Sequence, residues 1–416
     1  MTQDIKQRIE QIRHGNVPEG YKKTKAGIFP ADWDVYMLGD CLSRVEKPVE
    51  VKPNELYTQI GIRSHGKGLF YKEPVTGAAL GNKSVFWIEP DCFIVNIVFA
   101  WEQAIGKTTQ SEVGMIGSHR FPMYRPVNDR IDVDYLISYF LTKRGTDILG
   151  AASPGGAGRN KTLGQDRFLK SKIVLPPIEE QKKIAAILTT QDKVIELKEK
   201  RLGEKQRQKK YLMQQLLTGK KRLPGFYGEW SFPKAKKLFQ SVSDKDHNGD
   251  LAVLSSTQDR GIVPRDEVNI DIKYDTCSLV NYKKVSKGNF VISLRSFQGG
   301  IEYSAYTGLV SPAYTVLSSR KEISDEYYKH FFKSTDYINR LNVAVYGIRD
   351  GKQVSYEDFG RLRIPYPPIK EQTAIAEVLS TADREIDLLR QDIEQEKQKK
   401  KARMQLLLTG IVRVKV

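Results

Sequence analysis

The side chains best suited to chemistry in this chain are hydrogen-bond donors beside glycines. Arg295-Ser296-Phe297-Gln298-Gly299-Gly300 follows the strand-like run Asn289-Phe290-Val291-Ile292-Ser293-Leu294. An arginine presents paired donors that match O6 and N7 of guanine, and a glutamine can pair with N6 and N7 of adenine. Tandem glycines let backbone come close to a phosphate. The same stretch also reads as a turn that merely packs at the end of its strand. The corresponding earlier stretch, Ile97 to Gln103, lacks the arginine and the glycines. Its Trp101 either stacks against a sugar or sits in the core, and core is the favoured reading.

Further polar and cationic clusters fall at matching places. Arg63-Ser64-His65-Gly66-Lys67-Gly68 and Ser256-Thr257-Gln258-Asp259-Arg260-Gly261 read as equivalent loops, suited to nucleic acid or simply solvated. Arg159-Asn160-Lys161 and Arg349-Asp350-Gly351-Lys352 each precede a repeated helix and suit insertion into a groove. Arg120 and Tyr314 also correspond, Tyr314 reading equally well as a core aromatic. The runs Arg207 to Lys210 and Lys397 to Lys401 suit DNA, partner subunits or a solvated helix face.

Catalytic patterns are not found. Cys41, Cys92 and Cys277 lie far apart and form no CxxC pair, and His14, His65, His119, His247 and His330 have no metal-ligand spacing, so no metal site is expected. Gly77 to Ser84 resembles a phosphate loop, but Asn82 replaces its second glycine. Glu196 and Lys198 beside a distant Pro90-Asp91 imitate a nuclease pattern without its proximity. No methyl-donor loop, adenine-methyltransferase motif or Ser/His/Asp arrangement stands out.

The elements that must position these residues are written in a repeat. The chain has 416 residues, a length that predicts two or three domains. Lys plus Arg number 67 against 50 Asp plus Glu, a net charge of +17, and spare cations of this kind favour a polyanionic partner. A hydrophobic fraction of 40% with 10% aromatics supports real cores and excludes general disorder. Mean hydropathy is −0.46, and no apolar run approaches the ~18 residues of a membrane span. Met1 to Glu10 lacks the apolar region of a secretory signal, so a cytoplasmic, reducing compartment is expected.

Pro176-Pro177-Ile178-Glu179-Glu180-Gln181 returns as Pro367-Pro368-Ile369-Lys370-Glu371-Gln372, and the register holds to Leu217-Thr218-Gly219 and Leu408-Thr409-Gly410. About 20 of the 44 aligned positions are identical, far above chance. A weaker echo links Phe29-Pro30-Ala31-Asp32-Trp33 to Phe226-Tyr227-Gly228-Glu229-Trp230. Each repeat reads as a long helix, with prolines and a glutamate at its start and glycine at its stop. Leu188, Ile195, Leu202, Lys209 and Leu216 lie seven apart, and Leu379, Ile386, Ile393, Lys400 and Leu407 repeat that line. Such a seam, apolar at its ends and wetter in its middle, predicts that the helices pair with each other. They pair antiparallel if the halves are related by a pseudo-two-fold; two separate surface helices are the alternative. About forty residues at 1.5 Å span about 60 Å.

The segments between the helices read as α+β. Ser84–Glu89, Phe93–Val98 and Asn289–Leu294 suggest strands, and Val133–Arg144 and Asp325–Arg340 suggest local helices. The expected boundaries are an arm or short helix at 1–25, domains at 26–174 and 223–365, and repeated helices at 175–222 and 366–416.

Two divergent domains, each ending in Pro-Pro-Ile-x-Glu-Gln and a long basic helix, resemble the DNA-specificity subunit of type I restriction–modification enzymes. Val291 to Gly300, Val310-Ser311-Pro312-Ala313-Tyr314, Ser118 to Met123, and Leu216 to Gly219 with Lys220-Lys221-Arg222 carry the same resemblance, which covers nearly the whole chain. It implies two tandem α/β target recognition domains, each followed by a long helix, the helices forming an antiparallel coiled coil. Each domain would read one half of a split duplex target, with half-sites about one helical turn, roughly 34 Å, apart. Because the domains differ in sequence, the target should be asymmetric. The resemblance implies two methyltransferase subunits and restriction subunits as partners, and no membrane. It also implies no catalysis or cofactor on this chain, S-adenosylmethionine on the methyltransferase partner, and ATP and Mg on the restriction partner. A related bifunctional system, with cleavage and methylation on one partner chain, is the close alternative. A standalone nuclease or an RNA-binding coiled-coil protein are the remote ones.

Overall fold

The computed structural model describes residues 3–25, 27–155, 161–268, 276–344 and 354–414. The chain divides into two compact units, Met1–Leu197 with Ile393–Val416, and Lys198–Asp392. Each unit is a variable domain with the head of one long helix and the tail of the other.

Both variable domains are built on an antiparallel four-stranded sheet of the same order. In the first unit it runs Ile105–Lys107, Phe93–Val95, Met123–Pro126, Leu42–Val45; in the second, Glu302–Tyr303, Phe290–Ile292, Thr315–Ser319, Phe239–Val242. Phe93, Ile94 and Val95, like Phe290, Val291 and Ile292, are wholly buried, which explains their continuous apolar runs. Aromatic rings close each core: Phe93 lies 5.5 Å from Phe140 and 5.9 Å from Phe168, and Phe290 lies 5.7 Å from Phe239 and 5.2 Å from Phe332.

The central strands are shorter than their sequence runs. Asn96 accepts a hydrogen bond from the Val98 amide and turns the chain after Val95, and Ser296 Oγ does the same at the Ser293 amide. Each local helix is broken in two. Val133–Phe140 is followed by Lys143–Ala151, and Asp325–Phe332 by Thr335–Ala344. Thr142 caps the first restart by accepting from the Gly145 amide, and Ser334 accepts from the Tyr337 amide at the second. A capping hydroxyl supplies the acceptor that a helix start lacks. The N-terminal residues Gln3–Arg13 form a helix, and Arg8 donates to the Ile411 carbonyl at 2.6 Å.

The long helices are Ile178–Leu216 and Ile369–Leu407. In the first unit Ile184 and Leu188 share a core with Leu407, Leu408, Tyr135 and Phe168. Gln191 then meets Glu396, and Asp192 meets Lys400. In the second unit Lys198 reaches Asp392 at 2.8 Å, Lys205 reaches Glu385 at 2.6 Å, and Lys209 pairs with Asp383. Leu216 and Leu217 finish in a core with Ile375 and Leu379. Rising numbers meet falling ones throughout, so the helices pack antiparallel. Of the seam residues, Leu188, Ile195, Leu216, Leu379, Ile386, Ile393 and Leu407 are buried and Leu202 is half-buried. The wetter middle is stitched by Lys–carboxylate pairs, each individually weak because solvent reaches it.

The repeated Glu-Gln has a physical explanation. Glu180, fully buried, accepts from Arg413 Nε and Nη2 at 2.8 Å and from Trp33 Nε1 at 3.2 Å. Glu371, also fully buried, accepts from Arg222 Nε at 2.5 Å and Nη2 at 2.6 Å and from Trp230 Nε1 at 2.9 Å. Each arginine follows the glycine that stops the other long helix. Gln181 receives the Asp132 amide and donates to the Arg130 and Pro176 carbonyls, while Gln372 receives the Ser324 amide and donates to the Pro367 carbonyl. Asp132 and Ser324 are the caps of the first local helix in each domain. The glutamate thus ties one helix head to the other helix tail, and the glutamine ties that head to its own domain.

Candidate nucleic-acid interface

The two matching polar loops are hairpin tips. Arg63–Gly68 joins the strands Ile60–Ile62 and Leu69–Tyr71, and Gln258–Arg260 joins Leu254–Thr257 to Gly261–Pro264. In the first domain Arg63 donates to the Leu69 carbonyl at 2.7 Å and lies over the Phe70 ring at 5.0 Å. His65 has φ +60°, and its amide bonds the Glu102 carbonyl, while the Gly66 amide bonds Gln103. These bonds fasten the tip to the helical turn Ala100–Glu102, which follows the central strand.

Other predicted residues gather at the same place. The Ile97 amide bonds the Arg120 carbonyl and the Ile97 carbonyl accepts the Leu163 amide. Trp101 is half-buried beside this segment, donating to the Val98 carbonyl, with Lys161 Nζ 5.4 Å from its ring centroid. The favoured core reading of Trp101 is therefore corrected: its ring is partly open and carries a cation. Arg63, His65, Lys67 and Arg120 are exposed. Arg159 and Asn160 lie outside the described residues. Below the tip is a cleft of about 750 Å³ whose lining includes His65, Lys143, Arg144, Lys397, Lys400 and Lys401. It draws cations from the domain and from the second long helix within one unit.

In the second domain Gln258, Arg260, Arg295 and Gln298 are exposed. Arg260 is turned toward Glu267, 3.7 Å away. Arg295 stands at the start of the turn Ser296–Gly299, the counterpart of Ala100–Glu102. Ser296 is buried, its hydroxyl engaged by the Ser293 amide. Tyr314 is half-buried against Leu254, Val285 and Val316, and burial raises its pKa above the ordinary tyrosine value. The glycines have internal reasons. A Cβ on Gly300, at φ +81°, would lie 2.0 Å from the Phe332 carbonyl oxygen, and one on Gly299 would lie 3.0 Å from Gln258 Cγ. Arg349 and Lys352 lie outside the described residues.

Sequence reasoning missed the roles of Arg222, Arg413, Trp33 and Trp230, although the repeat offset that relates Gly219 to Gly410 also relates the two arginines. It missed Lys333 altogether. Among the described residues, no group of three or more His, Cys, Asp or Glu could hold a metal ion, and no helix is long and apolar enough to cross a membrane.

A duplicated frame that keeps its sheet, its helix junction and its hairpin tip, while varying the side chains on that tip, is the design of a two-domain recognition subunit. The chain belongs to the family of the type I restriction modification DNA specificity domain, whose model matches it at residues 70–205 and again at 231–398. It is a type I restriction–modification specificity subunit with two recognition domains. It is 25% identical to the putative type I restriction enzyme MjaX specificity subunit of Methanocaldococcus jannaschii, over 95% of this chain and 97% of the relative. Its fold is similar to the HsdS subunit from Thermoanaerobacter tengcongensis, with TM-score 0.51, 17% identity, and coverage of 92% of this chain and 98% of that one. The S subunit from M. genitalium matches with TM-score 0.54, 12% identity, and coverage of 92% and 97%.

Proposed function

We propose that this subunit reads a bipartite, asymmetric duplex DNA target through domains at 26–174 and 223–365. The observation that carries this reading is the pair of equivalent hairpin tips with different residues, Arg63-Ser64-His65-Gly66-Lys67 on one and Gln258-Asp259-Arg260 on the other, each beside the turn after a central strand. Cations and amide side chains at such tips suit phosphate and base edges. Arg63, His65, Lys67, Arg120, Arg159, Asn160 and Lys161 would serve the first half-site. Gln258, Arg260, Arg295, Gln298, Arg349 and Lys352 would serve the second, with Ser296, Gly299 and Tyr314 shaping its surface.

The helices at 175–222 and 366–416 scaffold two methyltransferase subunits and the restriction subunits in this reading. The chain itself catalyses nothing and holds no cofactor. S-adenosylmethionine belongs to the methyltransferase partner, ATP and Mg to the restriction partner, and the complex works in the cytoplasm. The test is reconstitution with the methyltransferase partner, followed by mapping of methylated bases. A split, asymmetric methylated site is expected, and Arg295→Ala should relax one half of it while the complex still assembles. Methylation or cleavage by the purified chain alone would refute the reading.

A further inference from the structure

Lys333 follows the helix Asp325–Phe332, beneath the second domain's tip. Its ammonium donates to the Gln258 carbonyl at 3.2 Å, the Gly299 carbonyl at 2.8 Å and Glu302 Oε1 at 2.5 Å. A lysine has three donors, so all three are used, and two of them end on the segments that carry Gln258 and Gln298. Glu302 is fixed from the other side, because Glu302–Tyr303 is paired with the central strand at Val291. Glu302 is 1% exposed, and its Oε2 has no hydrogen-bond partner among the described residues.

The two segments also touch directly, with the Gln258 side chain lying over Gly299. Gly261, at φ +76°, closes the tip against the Tyr303 carbonyl, where a Cβ would come within 2.7 Å. The first domain joins its tip and turn by backbone bonds, His65 N–H to Glu102 O and Gly66 N–H to Gln103 O. Leu141, which follows Phe140 as Lys333 follows Phe332, packs under Gly66 there: a Cβ on Gly66 would lie 2.3 Å from Leu141 Cδ2. One position thus supports the tip in both domains, apolar in the first and ionic in the second.

We propose that Lys333 is a positioning residue for target reading: it locks the Gln258 tip to the Arg295–Gly299 turn, so the two present their side chains to one half-site as a single unit. Glu302 holds Lys333 in place. This rests on the reading of DNA by Gln258, Arg295 and Gln298 proposed above.

The experiment uses the complex with methyltransferase subunits and duplexes carrying every single-base change in each half-site. Lys333→Met alone would leave a buried carboxylate unpaired, so the informative variant is Glu302→Gln with Lys333→Met. This double change removes both charges at nearly constant volume. It should lower discrimination at the second half-site about tenfold, the scale of one lost base contact, with the first half-site unchanged. Glu302→Gln alone keeps both carbonyl bonds of Lys333 and should retain discrimination. Alanine at Gln258, Arg295 and Gln298 together is the parallel arm. If that triple variant keeps the parental methylation profile, these residues do not read the target and the proposal falls with them. If it loses discrimination while the double variant keeps it, the reading stands and the positioning role is overturned. Loss of both half-sites together, or collapse of the melting transition in the double variant, would mark Lys333 as a general stability residue and also overturn it.

Discussion

Arg413, just beyond the second long helix, lays two guanidinium nitrogens along the buried carboxylate of Glu180, in the first turn of the other long helix, each at 2.8 Å. Asp32 takes the same guanidinium at 2.7 and 2.9 Å. Two carboxylates hold Arg413 firmly protonated, and Arg413 in turn holds Asp32 below the usual carboxylate range. Arg413→Ala should destabilise the first unit by on the order of 2 kcal/mol, because it leaves Glu180 buried without its countercharge; the partial exposure of Arg413 keeps the loss below that of a fully buried pair. Denaturant titration followed by tryptophan fluorescence measures it, since Trp33, Trp87 and Trp101, three of the four tryptophans, lie in the first unit. Arg222→Ala should act on the second unit through Glu371.

Two buried groups in the second unit give opposite pH dependences. Burial raises the Glu302 carboxyl to about 7, against the pull of Lys333. Burial, helped by Lys209 and Lys329, lowers His330 to about 4, against Asp383 and Glu326. For Glu302 the folded state binds the extra proton, so its contribution is present at low pH and is lost as pH rises from about 4.5 through about 7. For His330 the unfolded state binds the extra proton, so stability is lost as pH falls from about 6.5 toward 4. The slopes largely cancel in the parent. Glu302→Gln should expose an acid-labile unit, and His330→Gln should expose one that weakens toward pH 7, each by up to about 3 kcal/mol. Melting temperature against pH for parent and both variants checks this; parallel profiles would be the contrary result.

Gly299 and Gly300 should respond differently to alanine. At Gly300 a side chain meets the Phe332 carbonyl and an unfavourable φ, so Gly300→Ala should cost about 2–3 kcal/mol. At Gly299 the obstacle is the exposed side chain of Gln258, which can move. Gly299→Ala should leave the melting temperature nearly unchanged and alter methylation selectivity at the second half-site. Thermal melts and methylation profiles separate the two effects.

Leu188 and Leu379 each sit in a unit's own core as well as on the helix seam. Leu188→Asp or Leu379→Asp buries a carboxylate among aromatics, and a cost on the order of 4 kcal/mol or more is expected. Each variant should unfold its own unit, seen as loss of one melting transition, and the pair should also lose methyltransferase assembly on gel filtration.

The repeat, the seven-residue seam, the helix stops at Gly219 and Gly410, and the matching loops Arg63–Gly68 and Ser256–Gly261 were legible from the residues alone. All of these are local or periodic features, set by which neighbours lie three, four or seven positions away. Pairing across distance was not legible. Gln258 and Lys333 are 75 residues apart, and Glu180 and Arg413 are 233 apart; no period connects either pair. Folding alone chose which polar residues turn inward. Ser296 and Glu302 are buried where Arg295 and Gln298 are exposed, because the turn after the central strand closes on the Ser293 amide. Only the antiparallel packing of the two long helices assigns Ile393–Val416 to the unit that begins with Met1, since burial of Leu407 and Leu408 beside Leu188 depends on three dimensions.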